Sequence, residues 1–126
     1  MKFFFDNNLS EHLAKGLLEF GEDVMHLREH FNEDEADVVW LEYIGENGIT
    51  LITKDERIRR NPLELNSINK HKVGVFFLGG KKQGRCKIIQ QVVRNWPRIK
   101  ELAVKTRPPF AYRIPPTGTK IERIGL

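Results

Sequence analysis

Three aspartates and a group of cations carry the chemistry open to this chain. Asp6 ends the apolar run Lys2-Phe3-Phe4-Phe5, and Asp55 follows the run Ile49-Thr50-Leu51-Ile52-Thr53. Asp37 opens a helical pattern that leads into that second run. Lys54, Arg57, Arg59 and Arg60 surround the third acid, and Lys81, Lys82, Arg85 and Lys87 follow a later apolar run. Carboxylates brought close together are costly unless a cation joins them or one stays protonated. An oxygen-only donor set, with one cysteine and no paired histidines, favours Mg²⁺ or Mn²⁺ over zinc. Guanidinium forks suit phosphate oxygens, and helix N-termini bind anions in their own right. A metal held by acids and ringed by cations is what hydrolysis of a phosphodiester needs. Plainer roles exist for the same residues: residues 54–60 as a solvated turn, and Asp37 as a carboxylate complementing a helix dipole.

The acids meet only if the elements around them converge. Runs near 2–6, 23–27, 49–53 and 73–78 are short, apolar and rich in β-branched or aromatic residues, the pattern of strands buried on both faces. Leu9, Leu13, Leu17, Leu18 and Phe20 form a helical stripe that stops at Gly21. Asn8-Leu9-Ser10-Glu11 has the form of a capping box with Asn8 as N-cap. Strand, helix and strand in so short a span imply a parallel right-handed crossover. Residues 28–35 read as a loop, and Ala36, Val39, Trp40, Tyr43 and Ile44 mark a helix to Glu46 that Asp34 is placed to cap. Asn61-Pro62 starts another helix. A long helix follows from Ile88 to Ala103, which Pro97 should kink or divide. Residues 110–114 and 120–124 read as two short strands around a turn.

These elements predict an α/β fold: one domain over 1–126, in three α/β/α layers, with a central, mainly parallel sheet and a C-terminal hairpin or edge extension. In such sheets functional groups gather at the carboxyl ends of the strands, near the switch in strand order. Asp6 and Asp55 occupy two such ends. The helix begun by Asp37 starts on the same rim.

The chain has 126 residues, 40% hydrophobic and 30% charged, enough for a real core and unlike a disordered composition. Its net charge of +4 fits a polyanionic partner without requiring one. The single Cys86 excludes an internal disulfide and a cysteine-rich zinc site. His12, His26, His30 and His71 are scattered and read as structural or surface residues. No apolar run approaches the roughly 20 residues that span a bilayer, and the start lacks a signal-peptide pattern, so no membrane role and a cytoplasmic location are expected.

FFFDNNL at the start, DVVWL at 37–41 and ITKDERIRRNP at 52–62 resemble the PIN-like nucleases, in particular a small branch similar to VapC-type toxins. FFL at 76–78 and PPF at 108–110 add weaker support. The resemblance implies that Asp6, Asp37 and Asp55 bind one or two divalent ions, Mg²⁺ or Mn²⁺, and cleave RNA. It implies a cognate antitoxin as protein partner, and a homodimer is also among the expected partners because such domains often pair. Lys54, Arg57, Arg59, Arg60, Lys81 and Lys82 would then bind the nucleic-acid backbone. The chain departs from the pattern after the 73–78 run, where Gly79 and Gly80 stand in place of a fourth acidic or polar residue. Two other families place an acid after the first strand. A response-regulator receiver, with Asp55 as phospho-acceptor, needs a paired acid where Asn7 stands; a haloacid-dehalogenase phosphatase needs an Asp where Asn8 stands. A PIN-like module that binds RNA or protein without turnover is the non-enzymatic alternative.

Overall fold

The computed structural model describes residues 1–126. Six strands form one sheet: β1 (Phe3–Phe5), β2 (Val24–His26), β3 (Thr50–Thr53), β4 (Gly74–Leu78), β5 (Phe110–Ile114) and β6 (Glu122–Ile124). Their order is β2-β1-β3-β4-β5-β6. All pairs are parallel except the last, so β5 and β6 form the expected hairpin, with β6 as the edge. Five helices accompany the sheet: α1 (Glu11–Glu19), α2 (Leu27–His30), α3 (Asp37–Glu46), α4 (Pro62–Lys70) and α5 (Arg85–Lys105). A 3-10 turn covers Glu56–Arg59. No helix is long and apolar enough to cross a membrane.

Strand residues alternate between two cores. Phe3, Phe5, Val24, Ile52, Phe76, Tyr112 and Ile114 meet α1 and α5 on one face. Phe4, Met25, Leu51, Val75, Phe77 and Ala111 meet α3 and α4 on the other. Each face is pinned to β1 by a tryptophan. Trp96 of α5 lies 4.8 Å from Phe3, and Trp40 of α3 stacks on Phe4 at 5.2 Å.

The connections β1–α1–β2, β2–α3–β3 and β3–α4–β4 share one hand. The connection β4–α5–β5 has the other. It steps across the sheet in the same direction as β3–α4–β4, yet α5 packs on the opposite face, beside α1. Parallel crossovers are overwhelmingly right-handed, so nothing in the sequence announces this. Its effect is to bring the basic start of α5 next to the loop that follows β1.

Several local expectations change. Ser10, not Asn8, is the N-cap of α1, its side chain accepting from the His12 N–H. Asn8 is held in a turn instead, because its N–H donates to the Asp6 carboxylate. Ala36 precedes α3 with no side-chain cap, so Asp34 does not fill that role. Residues 27–30 form one helical turn where a loop was expected from 28 onward. Pro97 does not divide α5, which runs unbroken from Arg85 to Lys105. Proline cannot donate to the carbonyl four residues back. That carbonyl belongs to Val93, and Val93 and Pro97 are both exposed, so water can reach it.

Gly45 shows how closely α3 and α4 approach. A Cβ there would lie 2.5 Å from the His71 carbonyl oxygen and 2.6 Å from the His71 Cβ. Exchanging a mid-helix glycine for alanine ordinarily gains up to about 1 kcal/mol. Here crowding against backbone should reverse the sign. Gly45→Ala is expected to destabilise the protein by about 1–3 kcal/mol. Gly16→Ala, in open space on α1, should be neutral or stabilising. Urea denaturation of both variants checks the pair; stabilisation by Gly45→Ala would mean that the α3–α4 contact is looser than described.

Candidate functional site

The rim at the carboxyl ends of β1 and β3 is built by one register. Phe5 lies opposite Ile52, so Asp6 and Thr53 leave the sheet side by side. Adjacent parallel strands are separated by about 4.8 Å, which sets the reach between the residues that follow. The Thr53 hydroxyl uses it twice: it donates to Asp6 Oδ2 and accepts the Asp55 backbone N–H at 3.0 Å. Asp6 Oδ1 accepts the Asn8 N–H at 3.1 Å. The Asp6 backbone carbonyl also accepts from the Leu9 N–H at 3.1 Å.

Asp6 is only 4% exposed. Burial pushes its carboxyl from 3.8 up to about 7, against the opposing pull of the Thr53 hydroxyl and the Asn8 N–H. The negative charges of Asp55 and Asp37 add to the rise. Asp55 is different. Burial acts to raise it, but the Arg57 side chain, backbone N–H and charge outweigh burial and hold it below the ordinary carboxylate range. Arg57 Nε and Nη2 donate to Asp55 Oδ1 and Oδ2 at 2.9 and 3.1 Å.

Asp37 is the first residue of α3 and is half-buried. It acts on an acid that sequence reasoning missed. Glu64, in the first turn of α4, has its carboxyl pushed up to about 7 by burial first, then by the charge and hydrogen bonding of Asp37 and by the charge of Asp55. The sequence held a signal for it: Asn61-Pro62-Leu63-Glu64 is a helix start with an acid at the third position, and Asn61 caps the Leu63 and Glu64 N–H groups. Four acids thus lie on one rim, where the charges of Asp37 and Asp55 act on both Asp6 and Glu64. No three of the chain's His, Cys, Asp and Glu side chains lie close enough to enclose a cation as they stand. The donor chemistry fits a hard divalent ion, with Asp6 already fixed and Asp55 turned towards Arg57.

The cations divide into committed and free groups. Arg59 is committed: Nη2 donates to the Gly125 carbonyl at 2.8 Å, Nη1 lies 3.4 Å from Glu56, and its guanidinium covers Phe77. Arg57 is paired with Asp55 though largely exposed. Lys54 is half-buried beside the Gly80 carbonyl at 3.5 Å, and burial lowers its ammonium, with Glu56 opposing. Arg60, Lys81 and Lys82 are exposed, and the two lysines line a basic recess with Lys87 and Arg94.

A family model described as a PIN like domain matches residues 1–80. The match spans β1 through β4 and contains Asp6, Asp37, Asp55 and Glu64. Neither a curated protein nor a solved structure matches the chain.

Asp6 has a thermodynamic consequence. Its folded-state value lies above its unfolded one, so its contribution to stability is fully present below pH 3.8 and is lost as pH rises through about 7. The rise corresponds to about 4 kcal/mol favouring the protonated form. Asn at this position removes the charge but turns its amide NH₂ towards Thr53, whose hydroxyl must then accept and no longer donate, at a cost of about 1–3 kcal/mol. Asp6→Asn, with chelator present, is therefore expected to gain stability over the parent between pH 5 and pH 8, ending about 1–3 kcal/mol ahead. Urea denaturation at both pH values measures it; an unchanged difference between the two would show that Asp6 is already ionised at little cost.

Proposed function

The chain belongs to the PIN-like domain family, and on that premise we propose that it is an Mg²⁺- or Mn²⁺-dependent ribonuclease, acting as the toxin of a toxin–antitoxin pair. One observation carries the reading. β1 and β3 are adjacent and parallel, so the acids that follow them emerge together at the point where strand order reverses, within the segment that matches the family. Asp6 and Asp55 would hold the metal, with Asp37 and Glu64 as further ligands or water-positioning groups. When bound, a divalent ion polarises a phosphoryl oxygen and makes its water a better nucleophile.

The chain's own residues do the rest. Thr53 and the Asn8 N–H fix Asp6 so that little reorganisation is needed when its charge is called on. Arg57 holds Asp55 in a two-bond ion pair whose guanidinium is exposed, so an incoming anion can reach it. A phosphate arriving at Arg57 would compete for its guanidinium and release the Asp55 carboxylate towards the metal. Substrate and metal would then favour each other's binding. Arg60, Lys81 and Lys82 would hold the strand by its phosphates, which gives affinity without sequence preference.

A second reading has its own support. Asp55 is ion-paired and no three acids are drawn together, as suits a PIN-like module that binds RNA or a partner protein without turnover. Catalysis by the purified chain decides between the two. Asp6→Asn and Asp55→Asn are expected to lose more than about 100-fold in RNA cleavage, beyond the 10–100-fold typical of residues outside the first ligand shell. Asp37→Asn should lose less, because its helix-dipole role is independent of chemistry. If all three variants cut RNA like the parent while remaining folded, the site assignment is wrong.

Binding supplies a separate check. Each phosphate contact to a single strand contributes about 0.7 to the slope of log affinity against log salt. Neutralising Arg60 and Lys82 together should lower that slope by about 1.4. Neutralising Arg59 should instead reduce stability, since its guanidinium ties Glu56 to Gly125. An unchanged slope in the Arg60 and Lys82 variant would make those cations a solvated face only.

A further inference from the structure

Beside the acidic rim, on the face of α1 and α5, lies a cleft of about 480 Å³. That volume falls within the roughly 300–1,000 Å³ of small-ligand sites. Its apolar floor comes from Leu13 of α1 and from Ile88 and Ile89 in the first turns of α5. Its mouth carries Asn8, His12 and Arg85, all exposed. The side chains of these three engage no other residue in a hydrogen bond or ion pair, unlike the neighbouring Arg28, which is bound by Glu11 and Glu33. Arg85 is therefore the cleft's unpaired cation.

We infer that this cleft binds a nucleotide, with the base against Leu13, Ile88 and Ile89 and a phosphate at Arg85. The chemistry of each wall supports it. An aliphatic floor accepts the face of a base without regard to its identity, and an adjacent imidazole can stack on it. A side-chain amide such as Asn8 pairs with a base edge through both donor and acceptor. A guanidinium beside a helix start that lacks a side-chain cap suits a phosphate. The cleft is also tied to the acids through the chain itself, because the loop that carries Asn8 hangs from the Asp6 carboxylate. The opposite-handed last crossover is what makes the cleft, since it sets the start of α5 against α1.

The inference rests on the nuclease reading only for the source of the nucleotide: an RNA strand with one base seated in the cleft and a neighbouring phosphate at the rim. The nucleotide chemistry stands without it. The test uses the full chain with isoleucine and leucine methyl groups isotopically labelled, in chelator, so that no cleavage occurs. The four nucleoside 5′-monophosphates, ribose 5-phosphate and a short single-stranded RNA are titrated separately and followed by methyl resonances. A base on the floor should shift the Ile88, Ile89 and Leu13 methyls by its ring current, whereas ribose 5-phosphate should not. The RNA should bind more tightly than any mononucleotide if the source is a strand; equal affinity would assign the cleft to free nucleotides. Arg85→Ala should weaken mononucleotide binding several-fold while leaving the fold of the free protein, read from the methyl signals away from the cleft, unchanged. Mononucleotides that leave the floor methyls unmoved, or ribose 5-phosphate that moves them equally, would overturn the inference. RNA cleavage with unmoved methyls would sink the cleft alone, and shifted methyls in a chain that never cleaves RNA would sink the nuclease reading alone.

Discussion

β1 is enclosed on every side. It has a strand on each side and a tryptophan against each face, so no part of it meets water. A carboxylate placed at the exit of such a strand cannot be solvated and must find partners in the fold. Asp6 finds the Thr53 hydroxyl across the β1–β3 register and the Asn8 N–H in the following turn. Two bonds from neutral donors do not replace a full hydration shell. Burial therefore dominates, and the carboxyl titrates near neutrality. The same enclosure fixes the position of Asp6 to that of the sheet, which is where precision is most useful to a site.

Around this fixed point the other charges are adjustable. Asp55 is balanced by one guanidinium that stands exposed, within reach of an incoming anion. Asp37 and Glu64 face one another from the starts of two packed helices, with burial and like charge acting in the same direction on Glu64. Like charges gathered on one rim repel, and a cation placed among them would relieve that repulsion. The fold thus combines one rigid carboxylate with several that can reorganise, a division suited to binding a metal and a polyanion together.

Much of this was legible in the sequence, for a definite reason. Strands buried on both faces are near-continuous apolar runs, and β1 to β4 were visible as such; β5 was visible only as part of the C-terminal hairpin, although it pairs parallel with β4. Asp6, Asp37 and Asp55 were legible because each stands at the end of such a run or the start of a periodic one, whereas Glu64 was passed over as an ordinary first-turn acid. What escaped depends on contacts distant in sequence. Asn8 looks like a helix cap, but Asp6 takes its N–H and Ser10 caps α1. Pro97 looks like a break, but its orphan carbonyl faces solvent and the helix continues. Arg59 looks like its neighbours Arg57 and Arg60, yet only its guanidinium is turned into the fold, onto Phe77 and Gly125. The hand of the last crossover has no local signature at all. It follows from Trp96 and its neighbours finding their core beside α1 and not beyond α4.

If Asp6 anchors a divalent metal at the β1–β3 rim, Mn²⁺ bound there must broaden the amide NMR signals around it, which locates the ion without requiring turnover. Substoichiometric Mn²⁺ is expected to erase the signals of residues 6–8 and 53–55 first, and Asp6→Asn to abolish this pattern while the spectrum of the fold is retained. Broadening centred elsewhere, or a pattern at the rim that survives in Asp6→Asn, would contradict it.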